Sequence, residues 1–290
     1  MPDYEYHTVD VFTSERFGGN PLAVFPDSRG MTTEIMQALS AEMNYSEATF
    51  VLPPDDPANS FKVRIFNRTA EMPFAGHPNV GTACVLARLG LAKQSVLRFE
   101  EISGLVDVRL TGDNAAEIDA PQALRLFEEL PVDGIAACLS LEPSQIIAAS
   151  HNPVRASVGV DFVLVEVTPD ALASAVPELG AFRRLAANMP GLGGRLSIFF
   201  YHFQSNTVRS RMFAPLAGTW EDAATGSANA ALAALRLSQC DDREIAYESV
   251  QGVEMGRRSL LSLRAWRTTA GIRASVGGHC VPMFSGRISL

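Results

Sequence analysis

A repeated helix start restricts the fold of this chain more than any other feature. One apolar run opens at Ala75-Gly76-His77-Pro78, inside FNRTAEMPFAGHPNVGTACVL (66–86), and another at Thr225-Gly226-Ser227-Ala228, ahead of Asn229-Ala230-Ala231-Leu232-Ala233-Ala234-Leu235. They lie about 150 residues apart, and other segments recur at nearly that distance. Val63-Arg64-Ile65-Phe66 is echoed by Ser210-Arg211-Met212-Phe213, EISGLVDVRL (101–110) by SVQGVEMGRR (249–258), and GGNPLAVF (18–25) by VGVDFVLVEV (158–167). Echoes in one order at nearly one spacing point to two copies of one domain. The copies are placed at 1–125 and 126–290. The stretch between them (120–146) carries a helix near 134–140, and a return of the chain at its C-terminal end is compatible with this division.

Periodicity supplies the elements of the first copy. Tyr6–Phe12, Leu22–Phe25, Ala48–Leu52 and Phe61–Phe66 read as strands, with more at Val96–Phe99 and Leu105–Leu110. Thr32–Met43 has helical spacing, and Pro78–Leu89 is a helix stopped by Gly90. Each copy is therefore expected to be α+β: a strongly bent, mostly antiparallel sheet or barrel around a central apolar helix.

Composition excludes several classes. The chain has 290 residues, 47% apolar and 19% charged, with a net charge of −8. That is the composition of an ordered globular protein, and it offers no basic stripe for nucleic acid. The N-terminus lacks the basic and apolar regions of a secretory signal, and no stretch of about 18 apolar residues occurs, so a membrane role is not expected. The four cysteines are widely spaced with no C-x-x-C pair, which fits reduced thiols in a cytoplasmic protein. The five histidines lack an i, i+4 pairing, and no metal is expected.

The two helix starts are the candidate binding elements. Pro78 suits a first helical turn, where its missing N–H would lack a partner in any case. Gly76 lets a ligand approach the backbone, and the exposed N–H groups with the helix dipole form an anion site. Gly226 and Ser227 repeat this. If the copies face each other, both helix tips point into one cleft; the simpler alternative is that both glycines cap helices. Glu47, in NYSEATFV (44–51), precedes an apolar strand, where partial desolvation would suit a general acid/base; a solvated loop glutamate is the alternative. Asp222 either caps its loop or holds a catalytic group, and Asn20 either binds substrate or makes a turn.

Four segments together, DVFTSERFGGNPLAVF, NYSEATFV, AGHPNVGTA and EDAATGSANAAL, resemble the signature segments of the PhzF-like (phenazine biosynthesis) isomerase family over essentially the whole chain. The resemblance implies a diaminopimelate-epimerase-like fold of two pseudo-symmetric domains with the site in the cleft between them. It also implies a cofactor- and metal-independent hydrogen shift and a homodimer. It assigns Glu47 as the residue that moves the proton, with His77 and Asp222 as supporting polar residues. Gly76, Gly226 and Ser227 become donors to a small carboxylate-bearing metabolite, with Asn20 and Ser46 as further contacts. Two positions depart from the pattern: Ala223 stands where many members have Pro, and Asn79 where Thr is common. Epimerases of this fold place a cysteine at each helix start; here Ala75 and Thr225 stand there, so two-thiol racemisation is disfavoured. Cys84 and Cys240 are expected to be buried packing residues.

Two other readings stay open at this level. One is a binding or interaction protein of the same fold without turnover. The other is a serine hydrolase using Ser227, His77 and Asp222, which lacks a G-x-S-x-G elbow.

Overall fold

The computed structural model describes residues 2–204 and 206–290. In chain order the elements are β1 (Asp3–Val11), β2 (Asn20–Phe25), α1 (Thr33–Met43), β3 (Glu47–Leu52), β4 (Phe61–Asn67), β5 (Glu71–Met72), α2 (Gly76–Arg88), β6 (Val96–Glu101), β7 (Gly104–Gly112) and β8 (Ala115–Asp119). There follow β9 (Arg125–Glu129), α3 (Val132–Leu139), β10 (Val154–Ser157), β11 (Asp161–Glu166), α4 (Pro169–Ser174), α5 (Leu179–Ala187), β12 (Ile198–Gln204) and β13 (Thr207–Phe213). Then come α6 (Gly226–Ser238), β14 (Glu244–Gln251), β15 (Ser259–Thr268) and β16 (Gly271–Ser289).

The chain divides into two compact units. Unit 1 holds residues 1–121, 259–261 and 275–290, and unit 2 holds 122–258 and 262–274. The division at 125/126 expected from the repeats is thus displaced to 121/122. The end of the 126–290 lobe also needs correction, because residues 275–290 belong with unit 1. The cause is strand pairing: β16 runs antiparallel to β8 (Ser275↔Asp119) and to β1 (Asp3↔Ser289).

In unit 1 the strand order β1-β2-β3-β4-β6-β7-β8-β16 closes through the β1–β16 pairing into a barrel. Most neighbours are antiparallel, but β2 pairs with β3 and β4 with β6 in parallel. These are the two places where a helix, α1 or α2, lies between the strands, as a parallel connection demands. α2 packs against β1, β2, β3, β7 and β8. Its residues from Gly76 to Leu86 are all buried, as expected for a helix enclosed by a barrel. In the separate core covered by α1 through Met36 and Leu39, Phe25 stacks on Phe50 with ring centroids 4.8 Å apart, and Phe66 meets Phe50 edge-on at 5.6 Å.

Gly81 sets how closely α2 approaches the barrel wall. A Cβ there would lie 2.6 Å from Leu22 Cδ2 and 2.7 Å from Val11 Cγ2. Gly81→Ala is therefore expected to lose stability by about 1–3 kcal/mol despite alanine's better helix propensity. Urea unfolding checks this; a gain in stability would show that the wall yields.

Unit 2 repeats the plan. Its strand order is β15-β14-β13-β12-β11-β10-β9, with β11 parallel to β12 and β13 parallel to β14. α4 and α5 lie between β11 and β12, and α6 lies between β13 and β14. α6 packs against β10, β11 and β14 and is buried along most of its length. A second core joins α3, α4 and α5 to β11–β13 through Ile135, Phe182, Phe200 and Phe213.

Arg211 on β13 ties this unit together. Its Nε and Nη2 donate to Glu221 at 2.7 and 2.9 Å, and its Nη1 donates to the carbonyls of Leu172 and Ala175. No helix among the described residues is long and apolar enough to cross a membrane.

Candidate functional site

The chain reaches Glu47 through a sharp helix end. Thr32 caps α1 by accepting from the Ile35 N–H, and Asn44 ends it in the left-handed conformation, φ 53°. Three residues later β3 begins at Glu47, in register with Leu22 of β2 and Asn67 of β4. Asn20 opens β2 opposite Val11. It follows Gly19, whose φ of +62° and closeness to the Val11 carbonyl suit only glycine.

α2 begins two residues earlier than the Pro78 start expected from sequence. Gly76 is its first residue, so Pro78 is the third, still within the turn whose N–H groups have no partner inside the helix. Ala75 sits in extended backbone and supplies no side-chain cap. His77 and Asn79 are buried in this first turn, and Asn79 Nδ2 donates back to the Ala75 carbonyl at 3.1 Å.

Four of the residues singled out in sequence meet here as one chain of contacts. Ser46 Oγ donates to Asn20 Oδ1 at 3.0 Å. Asn20 Nδ2 lies 3.4 Å from His77 Nδ1. His77 Nε2 lies 3.5 Å from Glu47 Oε2. An amide nitrogen is a donor, so Nδ1 accepts and the ring hydrogen sits on Nε2, assigned here from the network. That N–H is directed at the glutamate. The 3.5 Å separation is within ion-pair reach, yet Nε2 forms no hydrogen bond of ordinary geometry. Glu47's side chain is 19% exposed, so it is largely covered and does not stand in open solvent.

Burial pushes the His77 imidazolium down to about 3 from 6.5, leaving a neutral ring at pH 7. A cation beside a carboxylate would weaken it as a base; the neutral ring does not. The folded state accepts this proton later than the unfolded chain does. His77 therefore contributes stability that is present above pH 6.5 and lost as pH falls towards about 3. Wild type should lose more stability than His77→Gln when acidified through this window, as read by urea midpoints. Parallel losses would show that the ring protonates freely.

The second helix start is built alike from different groups. Thr225 precedes α6 without capping it, since its hydroxyl donates instead to Asp222 Oδ2 at 2.7 Å. Gln251 Oε1 accepts from the Thr225 N–H and from Asn229 Nδ2, both at 3.0 Å. Gln251 Nε2 donates to the Asp222 carbonyl at 2.8 Å and to Thr225 Oγ1 at 3.0 Å. Asp222 thus holds the loop, one of the two roles considered for it. Gly226 is buried and Ser227 half-buried at the helix start.

Sequence reasoning missed Asn229 and Gln251, and marked Thr225 only as a position without a thiol. The signal existed: Gln251 and Glu101 are each the last residue of the strand that follows the central helix in sequence, β14 and β6. The echo drawn from Gly104 and Gly252 is out of that register. Cys84 is buried as expected, but Cys240 is only half-buried. Both nitrogens of His77 are directed at Asn20 and Glu47, which is not the disposition of a serine hydrolase's histidine. Among the described residues no three His, Cys, Asp or Glu side chains gather as a metal would require.

A family model described as phenazine biosynthesis-like protein matches residues 9–286. An uncharacterized isomerase of Mesorhizobium japonicum is 36% identical, with 99% of each chain covered. A trans-2,3-dihydro-3-hydroxyanthranilate isomerase of Pseudomonas aeruginosa is also 36% identical, covering 99% of this chain and 100% of its own. Among solved structures, a PhzF-family phenazine biosynthesis protein of Bacillus anthracis has the same fold, with a TM-score of 0.89 at 21% identity over 100% of both chains. A hydroxyproline epimerase of Agrobacterium vitis is more distant, with a TM-score of 0.65 at 13% identity over 99% of this chain and 93% of that one.

Proposed function

The chain belongs to the phenazine biosynthesis-like family and is an isomerase, and from that premise we propose that it moves a proton and a double bond within a small carboxylate-bearing substrate, with Glu47 as both base and acid. The observation that carries this reading is the Glu47–His77 pair: a partly covered carboxyl 3.5 Å from a buried neutral ring, at a helix start with no side-chain cap.

Glu47 takes a proton from one carbon, and the electron pair left behind spreads over the conjugated system and its oxygens. First-turn N–H groups at Gly76 and His77 stabilise that charge where it develops. The same carboxyl then returns its proton at another carbon, on the same face, so the glutamate ends ionised as it began. Atoms and electrons balance within substrate and protein, and no cofactor is invoked. His77 aims its Nε2–H at the carboxylate, and Asn20 and Ser46 hold the ring and its tautomer. For the second helix start we propose the same use: Gly226 and Ser227 N–H groups bind an oxygen, and Asp222 keeps Thr225 turned away from it.

The absence of a thiol at Ala75 and Thr225 also favours this reading over two-base racemisation. The test is incubation in deuterated water with trans-2,3-dihydro-3-hydroxyanthranilate, the compound in the name of the Pseudomonas aeruginosa relative. The Glu47 side chain is 19% exposed, so the proton it holds exchanges with solvent before it is delivered, and deuterium should appear at the carbon that receives it. Binding without conversion of this compound and of related dienes would favour a binding protein instead.

A further inference from the structure

Glu101 ends β6 and has no role in the mechanism above. The residue as a whole is half-buried, but both carboxyl oxygens are sealed from solvent and neither has a hydrogen-bond partner among the described residues. The charged groups on the surrounding elements are engaged elsewhere. Lys62 of β4 pairs with Asp55, Arg64 of β4 with Glu71 of β5, and Arg98 of β6 with Asp107 of β7. Arg109 of β7 pairs with Glu117 and Asp119 of β8, and Glu100 accepts from the 55–59 loop. His77 of α2 is neutral. A carboxylate buried with neither a cation nor a donor is costly, and such a group takes up a proton instead.

The internal repeat says what a neutral group there does. Gln251 holds the equivalent strand end in unit 2, and Asn229 the equivalent helix position to Asn79. Both asparagines donate Nδ2 to the carbonyl just before the helix, Ala75 or Thr225. The Gln251 amide uses its oxygen as acceptor and its nitrogen as donor to hold that start. A protonated carboxyl carries the same complement, one acceptor oxygen and one O–H donor, while a carboxylate has no donor at all.

We propose that Glu101 is a positioning residue, held as a neutral carboxylic acid, which braces the start of α2 in unit 1 as the Gln251 amide braces the start of α6 in unit 2. Burial pushes its carboxyl up to about 8 from 4.5; nearby Asn79 opposes this, though no hydrogen bond of ordinary length joins the two. The folded state thus keeps a proton that the unfolded chain releases. The stability this contributes is fully present below pH 4.5 and is lost as pH rises through about 8. Alkaline pH is therefore expected to loosen the helix start that carries Gly76 and His77.

Infrared spectroscopy of the full chain at neutral pH tests the protonation state without any turnover. A protonated-carboxyl C=O band present in wild type and absent in Glu101→Gln supports the proposal; its absence from wild type overturns it. The bracing role is read from kcat/KM across neutral to alkaline pH, and this readout alone rests on the isomerase reading. Glu101→Ala should lose about ten- to hundredfold in kcat/KM. Glu101→Gln should recover most of that loss and flatten the alkaline fall. If no substrate turns over, urea midpoints replace kcat/KM: Glu101→Gln should gain on wild type as pH rises, and Glu101→Ala should not recover the loss. Glu101→Gln tracking Glu101→Ala at every pH overturns the bracing role.

Discussion

Glu47→Gln is expected to abolish solvent-deuterium incorporation and to lower kcat by about 10²–10⁴-fold, the range that a positioned acid/base supplies. Glutamine keeps the shape of the side chain and an oxygen facing the His77 Nε2–H, so folding should be nearly unaffected. The loss is confined to the step that needs a group able to take and return a proton. Mass spectrometry of the product, with unfolding curves as control, reads both effects. Normal turnover and labelling by a folded Glu47→Gln variant would remove this residue from the reaction. A Glu47→Gln variant that binds substrate with unchanged affinity but does not convert it would place the loss in the chemical step.

Arg211→Ala should destabilise the protein by about 3–5 kcal/mol, the range for removing one partner of a buried ion pair. Arg211 is 7% exposed and Glu221 17%. Truncation would strand the glutamate and leave the carbonyls of Leu172 and Ala175 without their donor. It would also remove the guanidinium that lies 4.8 Å from the Phe213 ring centre. Lysine should not rescue it, because a single ammonium cannot reproduce a two-pronged contact with Glu221 and still reach both carbonyls. Since Glu221 adjoins Asp222, the variant should also slacken the turn before α6. Urea unfolding gives the magnitude, and a change under about 1 kcal/mol would class this as an ordinary exposed pair.

The fold was largely legible because its signals are local and repeated. Alternation marked β1, β3 and β4, and helical spacing marked α1 and α2. Paired glycines at Gly76 and Gly226 exposed the duplication. The first strand pairs were harder to orient: a sheet expected to be mostly antiparallel contains four parallel neighbours, each with a helix between its strands. The candidate site was legible only as a set of residues. Glu47, His77, Asn20 and Ser46 stood out as residues, yet their mutual contacts span β2, β3 and α2. Glu101 and Gln251 passed unnoticed because an acid and an amide look like ordinary strand ends until their surroundings are known.

The amino-acid order alone determined the doubled domain, the two glycine-led apolar helices, the missing thiols and the candidate glutamate, because each depends on residue identity and short spacing. Tertiary structure decided the rest: that the last strand returns to close unit 1, that His77 stays uncharged, and that both Glu101 oxygens are buried without a hydrogen bond of ordinary geometry among the described residues. Burial and partnership arise from segments far apart in the chain. The protonation state of a side chain depends on that surrounding, which no single stretch of sequence contains.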